Sequence, residues 1–463
     1  MSNIIELKQT SRRLGADTQT PISLFLQIMH TQPDALLLES AEVDGRWGRY
    51  SVIACDYLLS LSCRRAKLHL EIGDERLVPL SEVEGMPFLE GLRQVIGRLD
   101  LQGPSGQPPI TRALYGYFGY ETAALFQPKL AETLDTDDAE ARLVLPGTVF
   151  VFDHLYNHLT QLSLGSVRGL PRALPAPHGG LHVGDIERRP GRERYEDAVR
   201  HVRELLRRGE AIQIVGSTQS SAPFEGDAFE LYRRMRSLNP SPYMFYMGFP
   251  DIRLFGSSPE VMVRCTDGLL QLSPIAGTRR RGSTEAEDSQ LAADLLRDPK
   301  ERAEHVMLVD LGRNDLGRVA QADSVKVERL MEVERFSHVM HMTSRITASL
   351  EHGRDGLDIL AATFPAGTVS GAPKVRAMEI IHEIEEAPRG PYAGCLGWLG
   401  LDRAAVHLDM GITIRSMWER GGRIYWQSGA GLVYDSDPAR EWQECCNKGR
   451  IMETVLSMPA ENN

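Results

Sequence analysis

The feature that most limits the fold of this chain is a set of short apolar runs divided by tight turns. After residue 192 such runs recur at Ala211–Val215, Leu254–Ser257, Val261–Cys265 and Leu269–Pro274. Three more follow at Cys395–Leu401, His407–Ser416 and Arg423–Ser428. Each reads as a buried strand, and several are separated by too few residues to hold a crossover helix. Strands joined that closely run antiparallel. Earlier in the chain, Ala35–Ser40 and Thr148–Asp153 read as buried strands of the same kind. Between the two groups, Gly165, Gly169, Pro171, Pro175, Pro177, Gly179 and Gly180 recur so densely that neither helix nor strand persists. Beyond them, Tyr195, Ala198, Val199, Val202, Leu205 and Leu206 recur at helical spacing until Gly209 stops the helix. The expected fold is α+β: a large antiparallel β-sandwich of two subdomains with helices packed outside. Its expected units are an N-terminal region 1–163, a linker 164–191 and a C-terminal unit 192–458.

Charge excludes some partners. The 463 residues carry 52 Lys+Arg against 63 Asp+Glu, a formal net charge of −11. Nucleic acid and anionic membrane need a basic footprint and are therefore not expected as main partners. Met1–Lys8 has no basic stretch followed by an apolar block, so no secretory signal is expected. The apolar run Leu143–Phe152 is broken by Pro146 and Gly147 and is too short to span a bilayer. Six cysteines without Cys-x-x-Cys spacing predict reduced thiols in a cytoplasmic protein. An anionic substrate of such a chain would have to be held by local groups against the overall field.

Two segments offer carboxylates in a shared pattern. Asp298-Pro299 and Asp437-Pro438 both read as a helix cap followed by proline at the first helical position. Glu301 and Glu304 then share one helix face, and Glu441, Glu444 and Lys448 share another. If the two faces meet across a cleft, their oxygens suit a hard cation such as magnesium. On a helix alone the same spacing also describes a plain solvated face. Gln427–Gly431 has side chains too small to cover its backbone, so its amides can grip a carboxylate or simply form a turn. Arg415 and Lys448 are cations for the same anion, while Gly277 and Thr278 offer an amide and a hydroxyl. His341 and Glu260 carry no signature of their own, and a lone histidine among apolar neighbours is more often a core residue.

As a set, these residues carry a resemblance. From about residue 192 to 458 the sequence resembles the chorismate-utilising enzymes, most closely anthranilate synthase component I. The segments that carry it are Pro274–Arg279, Glu304–Asp315, Gly367–Met378, Ser428–Asp437 and Asn447-Lys448. The resemblance implies chorismate as substrate and Mg2+ held by Glu304 and Glu444, with Glu301 and Glu441 supporting that shell through water. It implies substrate contacts from Gly277, Thr278, Tyr392, Arg415, Gly429, Ala430, Gly431 and Lys448, with Arg415 on the enolpyruvyl carboxylate. Thr368 would line the ring pocket, and His341 and Glu260 would carry the proton transfers.

Within that family, Ala276 stands where aminodeoxychorismate synthases commonly have a nucleophilic lysine, so direct attack by ammonia is implied. Gln213 stands where isochorismate and salicylate synthases have a lysine that activates water, which points away from a hydroxylated product. The remaining enzymatic alternative is aminodeoxychorismate synthase component I of folate biosynthesis, and a non-enzymatic one is a tryptophan-binding regulator. Glu39 and Ser40, with Pro242, Tyr243 and Met244, resemble the tryptophan feedback site of anthranilate synthases. Read as chemistry, they offer a carboxylate, a hydroxyl and an aromatic-plus-thioether wall. No stretch combines a cysteine nucleophile elbow with histidine and glutamate partners, so a separate glutamine amidotransferase subunit, anthranilate synthase component II, is implied. The family usually pairs two of each chain. Ser217–Ser220 and Leu408–Gly411 depart from the family pattern, and the N-terminal half is shorter than in many relatives.

Overall fold

In the computed structural model of the 463-residue chain, residues 4–41, 48–165, 180–335 and 339–458 are described. Half of the expected linker, residues 166–179, lies outside the described residues. The apolar runs pair as their turns require: among the described residues 22 strands form one hydrogen-bonded network, with helices packed against it. The fold is α+β with a large antiparallel sheet system. One separate pair departs from the rule: Ile5–Lys8 runs parallel to Leu99–Gln102, because a long stretch of chain with its own helix intervenes. No helix among the described residues is long and apolar enough to cross a membrane.

Several strands outrun their apolar centres. Gln213–Glu225 and Arg423–Leu432 continue through polar residues because they pair with each other at ten register positions. The Gly429–Gly431 segment, which reads either as exposed amides closing a strand or as a turn, is therefore strand interior, opposite Val215 to Ser217. The expected strand His407–Ser416 is instead two, Leu408–Ile412 and Ser416–Arg420. Between them Arg415 takes φ 50°, and its carbonyl accepts from the Ser257 amide at 3.1 Å. A non-glycine residue in the left-handed region breaks the pleat and turns the chain.

The first and last parts of the chain share these sheets. Leu36–Glu39 pairs with Tyr243–Phe249, with Glu39 opposite Met244. Ala113–Phe118 pairs with Cys395–Gly400, with Gly116 opposite Gly397. Both glycines have positive φ, 158° and 150°. A Cβ on Gly116 would lie 1.8 Å from the Arg142 carbonyl oxygen, and one on Gly397 would lie 2.0 Å from that of Asp409. Only glycine permits this crossing. Gly397→Ala is expected to destabilise the protein by about 2–4 kcal/mol, read as a lower urea midpoint, from backbone strain plus overpacking.

Two helices carry the paired carboxylates. Asp298 accepts from the Lys300 and Glu301 amides and so starts Pro299–Gly317, while Asp437 accepts from the Arg440 amide and starts Pro438–Ser457. Each cap places its first-turn glutamate at the helix end that faces the same cavity.

Candidate active site

A cavity of about 890 Å³ opens between these two helix N-termini and the strands beneath them. One wall is the Ile275–Arg280 strand and its partner Val339–Ser349, where Thr278 faces His341. The pairing slips between Ala276 and Thr278, because Gly277 takes φ 66°. That slip brings the Gly277 carbonyl to His341 Nδ1 at 3.0 Å, with Thr278 Oγ1 at 3.1 Å. Nδ1–H therefore donates to the carbonyl, and Nε2 is the ring atom that can accept a proton. Burial, then the nearby Arg415 charge, lowers the His341 pKa against the opposing pull of that carbonyl. The imidazole is neutral near pH 7 and fit to act as a base.

The opposite wall carries Glu260, whose pKa burial raises to about 7, against the pull of Thr368, Arg415 and Lys448. A carboxyl in that range holds a proton near neutrality and can give it up. Arg415, swung out by its left-handed backbone, faces the same space. Desolvation lowers its pKa, while Tyr392, Glu444 and Glu260 raise it in turn. Among the described residues, no carboxylate or carbonyl lies in hydrogen-bonding or ion-pair range of its guanidinium. A half-buried cation left without a partner is a site for an anion. Lys448 stands beside it, donating to the Gly429 carbonyl at 3.1 Å and paired with Glu444 at 3.2 Å.

Small residues shape the floor. A Cβ on Gly429 would meet the Tyr392 hydroxyl at 2.9 Å, and one on Gly431 would meet Gln213 Nε2 at 2.4 Å. Both glycines line the cavity, whereas Ala430 between them lies in the hydrophobic core at 1% exposure. Strand alternation turns its methyl to the other face, so among the expected substrate contacts Ala430 alone does not line the cavity. Beyond Trp426 the strand has lost its Ser416–Arg420 neighbour, which leaves one edge of this backbone unpaired by it.

The paired carboxylates of both helices belong to one cavity. Glu301, Glu304, Glu441 and Glu444 all line the same cavity. Glu304 accepts from Gln213 Nε2 at 3.3 Å, and Glu301 is paired with Arg279 at 3.1 Å. Burial raises the Glu441 pKa, against Ser436 and Lys300. Among the described residues no three His, Cys, Asp or Glu side chains converge on one point. The donor set is nonetheless all oxygen, and it fits a magnesium ion that takes one or two carboxylates, waters and an oxygen of a bound anion. Sequence reasoning missed Lys300, Arg440 and Asn239, which also line the cavity. The one available signal was that Lys300 and Arg440 flank the cavity-facing glutamates in each first turn.

A second, small cavity of about 70 Å³ brings together Glu39, Ser40, Pro242, Tyr243 and Met244 with Tyr50, Arg264 and Trp398. Glu39 is buried and already accepts from Arg236 at 2.8 and 3.1 Å and from the Tyr232 hydroxyl at 2.6 Å. Its carboxylate is thus less open to an ammonium group than the sequence suggested. Pro242 lines this cavity and the large one alike.

Comparison with known proteins agrees with this geometry. Residues 72–454 match the family described as chorismate binding enzyme. Anthranilate synthase component 1 of Aquifex aeolicus is 39% identical, covering 97% of this chain and 94% of that protein. The protein of the same name from Methanothermobacter marburgensis is 40% identical, covering 99% and 97%. Among solved structures, anthranilate synthase component I from Streptococcus pneumoniae superposes with a TM-score of 0.75 at 32% identity, covering 95% of this chain and 99% of that one. The menaquinone-specific isochorismate synthase of Escherichia coli shares the fold, with a TM-score of 0.72 at 20% identity over 98% of this chain and 96% of that one. The chain belongs to the chorismate binding enzyme family.

Proposed function

We propose that this chain is the large subunit of an anthranilate synthase, converting chorismate and ammonia to anthranilate and pyruvate in tryptophan biosynthesis. The observation that carries the reading is the unpaired Arg415 guanidinium sharing one cavity with Glu260, His341 and the Glu304 and Glu444 carboxylates. Chorismate is a dianion, and two separated cationic foci suit it: Arg415 with Lys448 for the enolpyruvyl carboxylate, and a metal at Glu304 and Glu444 for the ring carboxylate. A bound magnesium ion would neutralise that ring carboxylate and fix the ring. Ala276 offers the ring no nucleophile, and Gln213 cannot serve as a general base, so ammonia is the attacking group.

The chain's own groups account for the proton balance. Protonated Glu260 gives its proton to the ring hydroxyl, which leaves as water as the new C–N bond forms. The added nitrogen then returns one proton to the Glu260 carboxylate. His341 Nε2 next takes the proton from the aminated ring carbon as the C–O bond to the enolpyruvyl group breaks, leaving an aromatic ring and releasing the pyruvate enolate, whose methylene carbon takes up a proton to give pyruvate. Tyr392, Gly429 and Gly431 hold the ring and side chain so that these atoms align. The reading includes a glutamine amidotransferase partner as ammonia source, a cytoplasmic setting, two copies of each chain, and tryptophan inhibition at the Ser40 cavity. The names of the relatives support the activity, and the shared Pro242 wall supports a link between the two cavities.

Purified protein with chorismate, a magnesium salt and an ammonium salt is expected to produce anthranilate fluorescence and equimolar pyruvate without an added lyase. Aminodeoxychorismate accumulating without pyruvate would instead support the alternative, aminodeoxychorismate synthase component I. Glu304→Gln or Glu444→Gln is expected to lower kcat/KM by about 100-fold and weaken the magnesium dependence. Undiminished turnover in both variants would sink the metal assignment. Ser40→Phe is expected to raise the tryptophan concentration for half-inhibition by at least about tenfold while leaving turnover intact, because the ring fills the small cavity. Unchanged inhibition would remove tryptophan from that site.

A further inference from the structure

Lys300, Arg415, Arg440 and Lys448 all line the active cavity, and the substrate reading uses only Arg415 and Lys448. Lys300 lies two residues after the Asp298 cap and Arg440 three after the Asp437 cap, so each sits in the first turn of its own helix. Both are exposed to solvent. A cavity-lining side chain that is also exposed stands where the cavity opens, whereas Arg415 is half-buried inside it.

Cations on the neighbouring segments are held by fixed partners. Arg279 pairs with Asp298 at 2.8 Å and Glu301 at 3.1 Å, Arg281 with Asp288 at 2.7 Å, and Arg280 with Glu287. On the two helices themselves, Arg313 pairs with Asp310 at 3.0 Å and Lys448 with Glu444 at 3.2 Å. Lys300 and Arg440 differ. They meet the cap carboxylates only through their backbone amides, and among the described residues neither side chain has an ion-pair or hydrogen-bond partner. Their charge is therefore not cancelled at contact and acts on whatever enters the opening. It reaches the other helix: burial raises the Glu441 pKa, and Lys300 opposes that rise after Ser436. A cleft with low-dielectric walls focuses such a field. A chain of net charge −11 otherwise repels a dianion, so the sign of the charge at the opening decides how readily one arrives.

We propose that Lys300 and Arg440 are capture residues: by Coulomb attraction through space they concentrate the dianionic substrate at the opening and favour its bound state, without gripping it themselves. The inference rests on the reading of the chain as a chorismate-using synthase. Arg415 and Lys448 then act at contact, where added salt screens little, while Lys300 and Arg440 act across solvent. The screening length falls from about 30 Å at about 0.01 M ionic strength to about 3 Å at about 1 M, so salt removes the part that acts across solvent.

The test is equilibrium binding of chorismate to the magnesium-loaded chain, measured by calorimetry without ammonia so that no amination follows, at low and high ionic strength. At about 0.01 M, Lys300→Gln and Arg440→Gln are each expected to raise the Kd about fivefold and together about twentyfold, and at about 1 M by less than about twofold. Lys300→Arg, which keeps the charge, is expected to bind like the parent, and Lys300→Glu to weaken binding beyond Lys300→Gln. Lys326 is an exposed lysine on the Lys326–Arg335 strand and does not line the cavity. Lys326→Gln changes the net charge by the same single unit and is expected to alter the Kd by less than about twofold at either ionic strength. Variants with native near-UV circular dichroism whose losses are equal at both ionic strengths would overturn the capture role, since that result means direct contact. Losses no larger than that of Lys326→Gln would overturn it too, since only the overall charge would then matter. A parent chain that binds no chorismate would overturn the functional reading and the capture role with it.

Discussion

The walls of the active cavity depend on one buried cation that never touches it. Arg389 is 1% exposed, and its guanidinium donates to the Val369 carbonyl at 2.7 Å, the Val215 carbonyl at 2.6 Å and the Glu385 carboxylate at 2.6 and 2.8 Å. It lies over the Tyr120 ring at 4.6 Å and the Tyr392 ring at 5.5 Å. Val215, Val369 and Tyr392 all line the cavity, so this one planar fork sets a strand, a turn and an aromatic wall relative to one another. Its own backbone N–H, with that of Gly390, donates to Glu121 from the early part of the chain. Glu385 in turn accepts from the amide and hydroxyl of Ser217. A buried ion pair contributes little net stability when complete, but a missing partner is costly. Its consequence here is geometric: three segments distant in sequence hold one register.

Electrostatics in the cavity run against those of the whole chain. The net charge of −11 repels anions, yet Arg415, Lys448, Lys300 and Arg440 face the same space as Glu304 and Glu444. Lys448 is paired with Glu444, while Lys300 and Arg440 are exposed to solvent. Arg415 is half-buried and without an ion pair among the described residues, its side chain carried into the cavity by its own left-handed backbone between two strands. That charge sits in a partly desolvated site, where Coulomb terms are larger than at the surface, and Glu444 and Glu260 act on it only through space.

Much of the fold and site was legible because it is local. The Asp-Pro caps at residues 298 and 437 act within one turn, so their helices and the faces carrying Glu301, Glu304, Glu441 and Glu444 follow from spacing alone. Short turns likewise made the sheets antiparallel. What was not legible lies where partners are distant. His407–Ser416 reads as one strand, and its break at Arg415 exists because Ser257, far away in sequence, holds the Arg415 carbonyl. Ala430 reads like Gly429 and Gly431, and only the register with Gly216 sends it to the core. Glu39 reads as an open carboxylate, and Arg236 and Tyr232 occupy it from another helix.

By itself the sequence determined which groups this protein offers: carboxylates in the first turns of two helices, small residues at Gly429–Gly431, and no lysine at position 276. Helix caps, strand periods and side-chain chemistry depend on near neighbours, so they survive without a folded chain. Only the tertiary structure decided that the two glutamate-bearing helices line one cavity and that Arg415 lies in it without an ion pair among the described residues. Those outcomes depend on distances between segments far apart in sequence, and such distances are set by the packing of the whole core rather than by any one stretch of it.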